Sequence, residues 1–538
     1  MKSEISRTRL KKVGSRERKF LAGIEEVAFR NGNLLALLYA LGVVAATLGC
    51  AFWSVRATTG DEFGTQLPRA LAAVLVALLC SRILMGIDGR DLLKRNSRIL
   101  MLCLVGVFGA AFSALGVVAA AAPALERHLD FEVARIAPFL FPLLFAPALA
   151  TLLAGPAAGV AIGVGAALLN LVFVPETGVL PALAGGIVIA VAAPPLVADV
   201  KRRTALLRAF IAGGCVQLLG VVVLFSSRLA ADGLSDELLR EALFAAGATV
   251  VSAGFAFAAT VLLLPLLEHL FGACSNIRLN DYADLGHSLL QKLSLAAPGT
   301  YHHSVVVATL SAAAADRIGA NSLLARVGSY YHDIGKLTKP NYYTENARPD
   351  QANPHDGISP NMSAVIIAAH VKEGIGLALH YNLPPPIRDI IREHQGTSVM
   401  HWFLHKAKED AKAKAEAGKT DPATVDESQF RYSGPRPSTK ESGIVLLADS
   451  IEAASRSLER PTHGAIENLV NNIVSGKIDD EQLDCCPLSF LDVALIKRTF
   501  TTSLTNILHA RVAYPADDKS KEAKHDADHR SAPAQPGA

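Results

Sequence analysis

The sequence predicts an all-α protein in two parts, a polytopic helical membrane domain of about eight spans followed by a cytosolic all-helical domain. Composition supports the first part: the mean hydropathy is +0.32, 51% of the 538 residues are hydrophobic and only 19% are charged. This apolarity is concentrated between residues 33 and 270, whereas the rest has the charge of an ordinary globular domain. Histidines mark the second part, because ten of the sixteen lie between His287 and His405, a span without cysteine. That pattern favours a metal site of imidazole and carboxylate over a thiolate site.

The apolar part contains runs that are long enough to cross a bilayer, since a hydrocarbon core of roughly 30 Å needs about 20 helical residues. Lipid offers backbone groups no hydrogen-bonding partner, so such runs must be helical. The predicted spans are 33–55, 69–88, 99–121, 134–154, 156–174, 181–199, 207–228 and 240–268. Gly155-Pro156 either separates two spans or makes a re-entrant break.

Basic residues predict how these spans are oriented. The first 32 residues carry nine Lys or Arg against four Glu, and loops 90–95 and 201–203 are also basic, whereas loops 58–62 and 175–178 are not. Positive residues are enriched on the cytoplasmic side of membrane proteins. The alternation therefore predicts a multi-pass protein of the inner (plasma) membrane with both termini in the cytoplasm.

Residues 331–336, Tyr-His-Asp-Ile-Gly-Lys, are the most informative stretch for chemistry. His332 and Asp333 can hold a divalent ion, and on a helix Lys336 would share their face and could bind a phosphate oxygen. Mn²⁺ and Fe²⁺ accept mixed imidazole and carboxylate ligands, and a carboxylate can bridge two such ions about 3.5–4 Å apart for phosphoryl displacement. The candidate metal ligands are His303, His332, Asp333, His370, His394 and Asp449.

Five ordered motifs around these candidates resemble the seven-transmembrane HD-domain family. They are residues 298–304 (Pro-Gly-Thr-Tyr-His-His-Ser), 331–336, 369–374 (Ala-His-Val-Lys-Glu-Gly), 393–397 (Glu-His-Gln-Gly-Thr) and 447–454 (Leu-Ala-Asp-Ser-Ile-Glu-Ala-Ala). Members of that family are membrane receptors whose cytosolic HD domain hydrolyses cyclic di-AMP to the linear dinucleotide pApA. The motifs cover most of the second part, and the first part resembles the family in architecture, with one anchor helix before seven spans.

With this resemblance, the chain is predicted to contain seven segments. They are a basic cytosolic N-terminal segment (1–32), an anchor transmembrane helix (33–55), a short extracytoplasmic loop (56–68), a seven-transmembrane domain (69–270), a linker (271–299), an HD phosphodiesterase domain (300–514) and a disordered tail (515–538). The tail is charged and rich in Pro and Ala, a composition typical of disorder.

The resemblance also implies roles for individual residues. A first metal ion is implied at His303, His332, Asp333 and Asp449, and a second at His370 and His394, with Asp333 as the bridge. The implied cofactors are two divalent ions, Mn²⁺ or Fe²⁺, that activate a hydroxide as the nucleophile. Asp333 and Lys336 are the implied catalytic residues, with Lys336 supporting the phosphate. Further candidates for contacts with the other phosphate or a base are Arg436, Lys440 and Arg456.

Two features depart from the family pattern. The family often has a second histidine directly after the one that matches His394, where this chain has Gln395. Glutamine is a poor ligand, so the second metal site is expected to be weaker, completed by water or lost. The family also usually carries a large extracellular domain between its first two spans, whereas only residues 56–68 fill that gap here.

Other functions remain open on this evidence. A cyclic di-GMP hydrolase of the HD-GYP type is disfavoured, because residues 395–402 do not match the Arg-x-Asp-Gly-x-Gly-Tyr-Pro-like stretch of that group. A (p)ppGpp hydrolase shares the His-Asp core but normally occurs in soluble chains that also carry a synthetase. A non-catalytic nucleotide sensor is the alternative from another class, and Gln395 is the residue that favours it.

The expected partners are a cyclic dinucleotide substrate and the lipid bilayer. The formal net charge of +3 is uninformative, and no arginine-rich stripe with interleaved aromatic residues occurs in the sequence. No nucleic-acid partner is therefore expected, and a homodimer is left open.

Overall fold

The computed structural model describes residues 96–120, 137–173, 179–347, 353–416 and 425–509, with isolated positions 42, 45 and 49. The chain divides into two compact units, residues 1–284 and 285–538. Apart from the isolated positions, the predicted segments 1–32, 33–55, 56–68, 69–88 and 515–538 lie outside the described residues. The prediction of an all-α fold is confirmed, because the described residues form helices and turns with one isolated β-bridge, between Val399 and Arg431.

The first unit consists of apolar helices. Its described α-helices are α1 (Asn96–Ala120), α2 (Phe145–Ala154), α3 (Pro156–Asn170), α4 (Val179–Val197), α5 (Arg203–Asp232), α6 (Asp236–Phe271) and α7 (Asn276–Asp281). Three segments, Leu100–Val118, Arg203–Ala231 and Asp236–Phe271, are long and apolar enough to cross a membrane. By contrast, α2 and α3 have only 10 and 15 residues, which corresponds to about 15 and 22 Å. The count of eight spans therefore stays a prediction.

The outer surfaces of α5 and α6 are apolar. Leu219 and Val223 on α5 are 64% and 68% exposed, and Val251 and Leu262 on α6 are 64% and 75% exposed. Burying one such side chain away from water is worth roughly 1.5–3 kcal/mol, so a water-soluble bundle would not leave them outside. Apolar surface of this kind indicates contact with lipid, in agreement with the predicted membrane domain.

The second unit is a helical globule. Its described α-helices are α8 (Ser288–Ala296), α9 (Pro298–Arg317), α10 (Ser322–Tyr331), α11 (Pro360–His380), α12 (Pro385–Glu393), α13 (His401–Glu416), α14 (Lys440–Ser455), α15 (His463–Asp479) and α16 (Phe490–His509). By length and composition α11 could also cross a membrane. It nevertheless packs against α12 and α13 and carries the buried His370, so it belongs to the globule.

Helix α14 forms the centre of this unit. Its N-cap residue Thr439 accepts a hydrogen bond from the Ser442 amide, which satisfies one of the free amides of the first turn. The five residues that follow in the core, Ile444, Val445, Leu446, Leu447 and Ala448, are each 0% exposed. Truncating such a leucine to alanine typically costs about 2–5 kcal/mol. The next residue, Asp449, is therefore held on a rigid, deeply packed helix.

A glycine sets the distance between α11 and the turn that follows Asp333. The 3₁₀ turn Ile334–Thr338 lies against α11. A Cβ built on Gly335 would overlap the backbone carbonyl of His370. Only glycine permits so close an approach of two backbones, and this approach brings Asp333 beside His370.

Candidate metal centre

The six predicted ligands converge in the second unit. His303 lies on α9, His370 on α11 and Asp449 on α14, whereas His332 and His394 are the C-cap residues of α10 and α12. They form two sets whose potential ligand atoms lie within 4.8 Å of one another. We call His303, His332, Asp333 and Asp449 the first ligand group, and Asp333, His370 and His394 the second ligand group.

Asp333 belongs to both groups, and its two carboxylate oxygens are divided between them. Oδ2 lies 3.3 Å from His332 Nε2 and 3.7 Å from His303 Nε2. Oδ1 lies 3.4 Å from His370 Nε2 and 3.6 Å from His394 Nε2. One carboxylate therefore presents a separate oxygen to each group, which is the geometry of a bridging ligand.

Three of the histidines are oriented by backbone carbonyls. The Nδ1 atoms of His332, His370 and His394 lie 2.7, 2.7 and 2.9 Å from the carbonyl oxygens of Ser329, Ile367 and Ile391, each three residues earlier in the chain. Because a carbonyl only accepts, each Nδ1 carries the hydrogen. In the neutral ring each Nε2 then presents its lone pair to the centre, as in metal-binding histidines.

This arrangement fits a bound cation. The Nε2 atoms of His370 and His394 face each other at 3.1 Å, although both Nδ1 atoms already hold the ring hydrogens. Among the described residues, His332 Nε2 and Asp333 Oδ1 are buried without a hydrogen bond of ordinary geometry. Buried polar atoms normally have partners, and imidazole with carboxylate is a donor set for Mn²⁺ or Fe²⁺. The residues present therefore fit a divalent-metal site.

The two groups differ in their electrostatics. Burial disfavours a charged His332, yet the adjacent Asp333 carboxylate raises the pKa of His332 to about 10. Burial likewise opposes ionisation of Asp333, but Lys336 and His332 hold its pKa well below its usual range. In the second group, burial lowers the pKa of His370 to about 4. The carboxylates of the first group thus favour positive charge at His332, whereas burial favours the neutral form of His370 in the second group.

A carboxylate orients the fourth histidine. Nδ1 of His303 contacts Glu452 Oε2, and Nε2 of the same ring lies 2.9 Å from Asp449 Oδ1. Glu452 is one turn beyond Asp449 on α14, and its other oxygen accepts hydrogen bonds of 2.9 and 3.1 Å from Arg456. A carboxylate behind a histidine fixes the ring and increases its basicity. Arg456, predicted to contact substrate, thus supports Glu452 in this structure.

Lys336 is held between two carboxylates. Its Nζ lies 2.8 Å from Asp333 Oδ2 and 2.7 Å from Glu345 Oε1. The sequence suggested one helix for His332, Asp333 and Lys336, but the chain leaves α geometry at Asp333, and Lys336 lies in a 3₁₀ turn. The contact between Lys336 and Asp333 forms nonetheless, three residues apart.

The other two predicted substrate contacts form ion pairs elsewhere. Arg436 lies 2.9 Å from Glu481, and Lys440 lies 3.0 Å from Asp492. Neither of these contacts involves a member of the two ligand groups. Their predicted role in substrate binding stays a prediction.

Sequence reasoning missed several residues beside the centre. The rings of Tyr343 and Tyr432 lie 6.1 and 6.0 Å from the His370 ring, centroid to centroid. Lys477 on α15 donates a hydrogen bond of 2.7 Å to Ser398 Oγ. Burial lowers the pKa of Lys477, while Asp449 and Asp480 oppose the shift. No local motif marks these residues, because they reach the centre only through the fold.

Two family models match the chain. The model described as "7TM receptor with intracellular HD hydrolase" matches residues 69–275, and the HD domain model matches residues 300–454. The chain therefore combines a region similar to the membrane domain of such receptors with a region similar to an HD domain. The predicted resemblance to the seven-transmembrane HD-domain family is confirmed, and the HD domain implies divalent-metal binding.

The chain is also similar to curated relatives named cyclic-di-AMP phosphodiesterase PgpH. It is 43% identical over 270 residues to the Bacillus subtilis protein, covering 50% of this chain and 36% of the relative. It is 38% identical over 322 residues to the Listeria monocytogenes protein, covering 60% of this chain and 42% of the relative. The chain thus spans less than half the length of either relative.

A solved structure is similar to the second unit. The crystal structure of the L. monocytogenes PgpH HD domain is 42% identical and covers 42% of this chain and 100% of that chain, with a TM-score of 0.38. A second crystal structure of that domain is in complex with cyclic-di-AMP.

Proposed function

We propose that this chain is a membrane-anchored, metal-dependent phosphodiesterase that hydrolyses cyclic di-AMP to linear pApA. The observation that carries the proposal is the division of Asp333, whose Oδ2 serves the first ligand group and whose Oδ1 serves the second. That geometry is suited to two divalent ions, Mn²⁺ or Fe²⁺. The name of the PgpH relatives supports the choice of substrate.

Bound ions would supply Lewis-acid stabilisation of the phosphate charge and a nucleophile at neutral pH. The chain's own residues determine where this occurs. Asp333 would keep the two metal positions at a fixed separation. Lys336 holds its carboxylate, and the close packing at Gly335 holds its backbone. The carbonyl-bound Nδ1 atoms keep each imidazole in the orientation that binds.

Two ammonium groups are candidates for the substrate phosphates: Lys336, which contacts Asp333, and Lys477, whose pKa responds to the charge of Asp449. Lys336 already contacts Asp333 and Glu345, so only its third hydrogen could reach a phosphate oxygen. Lys477 instead holds the neutral hydroxyl of Ser398. We assign to Lys477 the stronger contact with a phosphate, because it would exchange a neutral partner for a charged one.

We also propose that the HD domain and both termini are cytoplasmic. The basic loop 201–203 before α5 supports this orientation, as does the description of the matching family model, which speaks of an intracellular HD hydrolase. Cyclic dinucleotides made in the cytoplasm would then reach the centre without crossing the membrane.

A nucleotide sensor without catalysis is the second candidate. It is favoured by Gln395, which contributes no imidazole beside His394. A sensor needs only the binding surface, whereas hydrolysis needs both metal positions to be filled.

The test uses the full chain in detergent, loaded with Mn²⁺ and incubated in turn with cyclic di-AMP, cyclic di-GMP and ppGpp. Chromatography should show conversion of cyclic di-AMP to pApA and little turnover of the other two. Tight binding of cyclic di-AMP without any product would replace the proposal with the sensor. Preferred turnover of cyclic di-GMP or ppGpp would keep the reaction class and overturn the substrate.

A further inference from the structure

Gln395 follows His394 directly, yet its side chain serves the opposite ligand group. Its Nε2 donates a hydrogen bond of 2.8 Å to Asp449 Oδ2. An ionised carboxylate only accepts hydrogen bonds, so the amide nitrogen must face it and the amide is committed to this contact.

Asp449 is consequently held through both of its oxygens. Oδ1 lies 2.9 Å from His303 Nε2 and 3.7 Å from His332 Nε2, inside the first ligand group. Oδ2 is occupied by the Gln395 amide. Rotation of the carboxylate about its terminal bond would break one contact or the other, so Oδ1 stays directed at the histidines of the first ligand group.

The turn that carries Gln395 is itself fixed. Gly396 has a φ of +54°, a conformation that favours glycine. The Ser398 amide donates to the Gln395 carbonyl at 3.2 Å, and the Thr397 amide donates to Gln482 Oε1 at 2.8 Å. These hydrogen bonds fix the backbone from which the Gln395 side chain extends toward α14.

We infer that Gln395 is a positioning residue for Asp449 and not a ligand of the second metal. The inference rests on the proposed function in that it takes the centre to bind two divalent ions. The first ligand group then has four protein ligands, with Asp449 locked by an amide. Within the described part of the chain, the second has only Asp333, His370 and His394. The two ions should therefore bind with unequal affinity, the first tightly and the second weakly.

The test measures metal binding and needs no substrate. Full-length protein in detergent is stripped with a chelator and titrated with Mn²⁺, and free Mn²⁺ is followed by electron paramagnetic resonance. The native chain should bind two ions in two separated steps. Gln395→Met keeps the side-chain volume but removes the donor. It should weaken the first step roughly 10- to 100-fold, the usual effect of losing a group that supports a metal ligand, and leave the second step unchanged.

Controls separate this effect from misfolding. Gln291→Met changes an exposed glutamine on α8 and should leave both steps unchanged. The thermal unfolding of metal-free Gln395→Met should match that of the native chain. If that variant does not fold, Gln395→Leu is informative, because it also removes the donor to Asp449 and should weaken the first step in the same way.

Two results would overturn the inference. The first is a Gln395→Met variant that loses affinity only in the second step, and the other is a Gln395→Leu variant that does the same. Either would make position 395 a ligand of the second metal. Hydrolysis is measured in a separate experiment. A chain that binds two ions unequally but cleaves no substrate would contradict the proposed function and leave the inference about Gln395 standing.

Discussion

The two ligand groups share Asp333 and are built from the same residue types, yet their surroundings differ. The first group has a second carboxylate, Asp449, and Glu452 stands behind its histidine His303. The second group has one carboxylate, and only backbone carbonyls orient its histidines. The imidazoles of the two groups also differ in their pKa: Asp333 raises that of His332 to about 10, whereas burial lowers that of His370 to about 4.

The comparison shows that the properties of a metal site depend on the residues that contact its ligands as much as on the ligands themselves. Negative charge accumulates around the first group and favours a cation there. The second group depends on the shared Asp333 for its only charge. We therefore expect changes behind the first group to affect one ion, and changes at Asp333 to affect both.

The largest effect is expected for Asp333→Ala. It removes the only residue common to the two groups, so both Mn²⁺-binding steps should be lost and hydrolysis should fall on the order of 10³-fold or more. Mn²⁺ titration and product chromatography measure the two effects. Asp389→Ala, at a partly exposed carboxylate that pairs with Arg392, is the matched control. A variant that still binds two ions would refute the bridging role.

Glu452→Gln should act on one group alone. The neutral amide no longer increases the basicity of His303, so the first Mn²⁺-binding step should weaken roughly 10- to 100-fold while the second is preserved. The same titration checks this, with the exposed Glu459→Gln as control. Equal weakening of both steps would show that the two groups are not independent.

Gly335→Ala should disturb the separation of the groups. The added Cβ would overlap the His370 carbonyl, and α11 must move, which typically costs about 1–3 kcal/mol in the free energy of unfolding. Thermal unfolding of the second unit, followed by circular dichroism, measures the loss. Gly376→Ala is the control, since a Cβ there meets nothing within 4 Å. If both variants unfold alike, the close packing at Gly335 does not set the spacing.

The smallest effect is expected for Lys477→Met, which leaves both groups intact. Loss of one charged phosphate contact should raise KM for cyclic di-AMP about tenfold without changing either metal-binding step. Steady-state kinetics, with the exposed Lys372→Met as control, give the result. An unchanged KM would indicate that Lys477 does not contact the phosphate and would leave Lys336 as the proposed contact.

Sequence reasoning named the six candidate ligands that the structure brings together, because each lies in a short motif at a helix or a helix end. The His332-Asp333 pair, the prolines that open α9 and α12, and the apolar spacing of the helices are local features. It did not find Glu345, Tyr343, Tyr432 or Lys477. The hydrogen bond between Lys477 and Ser398 joins residues 79 positions apart, and that between Gln395 and Asp449 joins residues 54 apart. No periodicity connects positions so distant.

In the membrane half, too, the sequence predicted local features but not those that depend on packing. Apolar length indicated helices, and α1, α5 and α6 agree with spans expected at 99–121, 207–228 and 240–268. The prolines and Gly155 were visible in the sequence, but the short lengths of α2 and α3 were not. Helix length depends on where backbone groups find partners, which is decided by neighbouring helices.

By itself, then, the sequence determined the all-α class, the apolar half and the identity of the candidate ligands, because helix periodicity and ligand chemistry are properties of neighbouring residues. Only the tertiary structure decided that Asp333 faces two ways, that Lys336 is held by two carboxylates and that the amide of Gln395 belongs to Asp449. The contacts of Asp333 with His370 and of Gln395 with Asp449 join separate elements of the fold. Their geometry is set by how α9, α10, α11, α12 and α14 pack around one buried carboxylate.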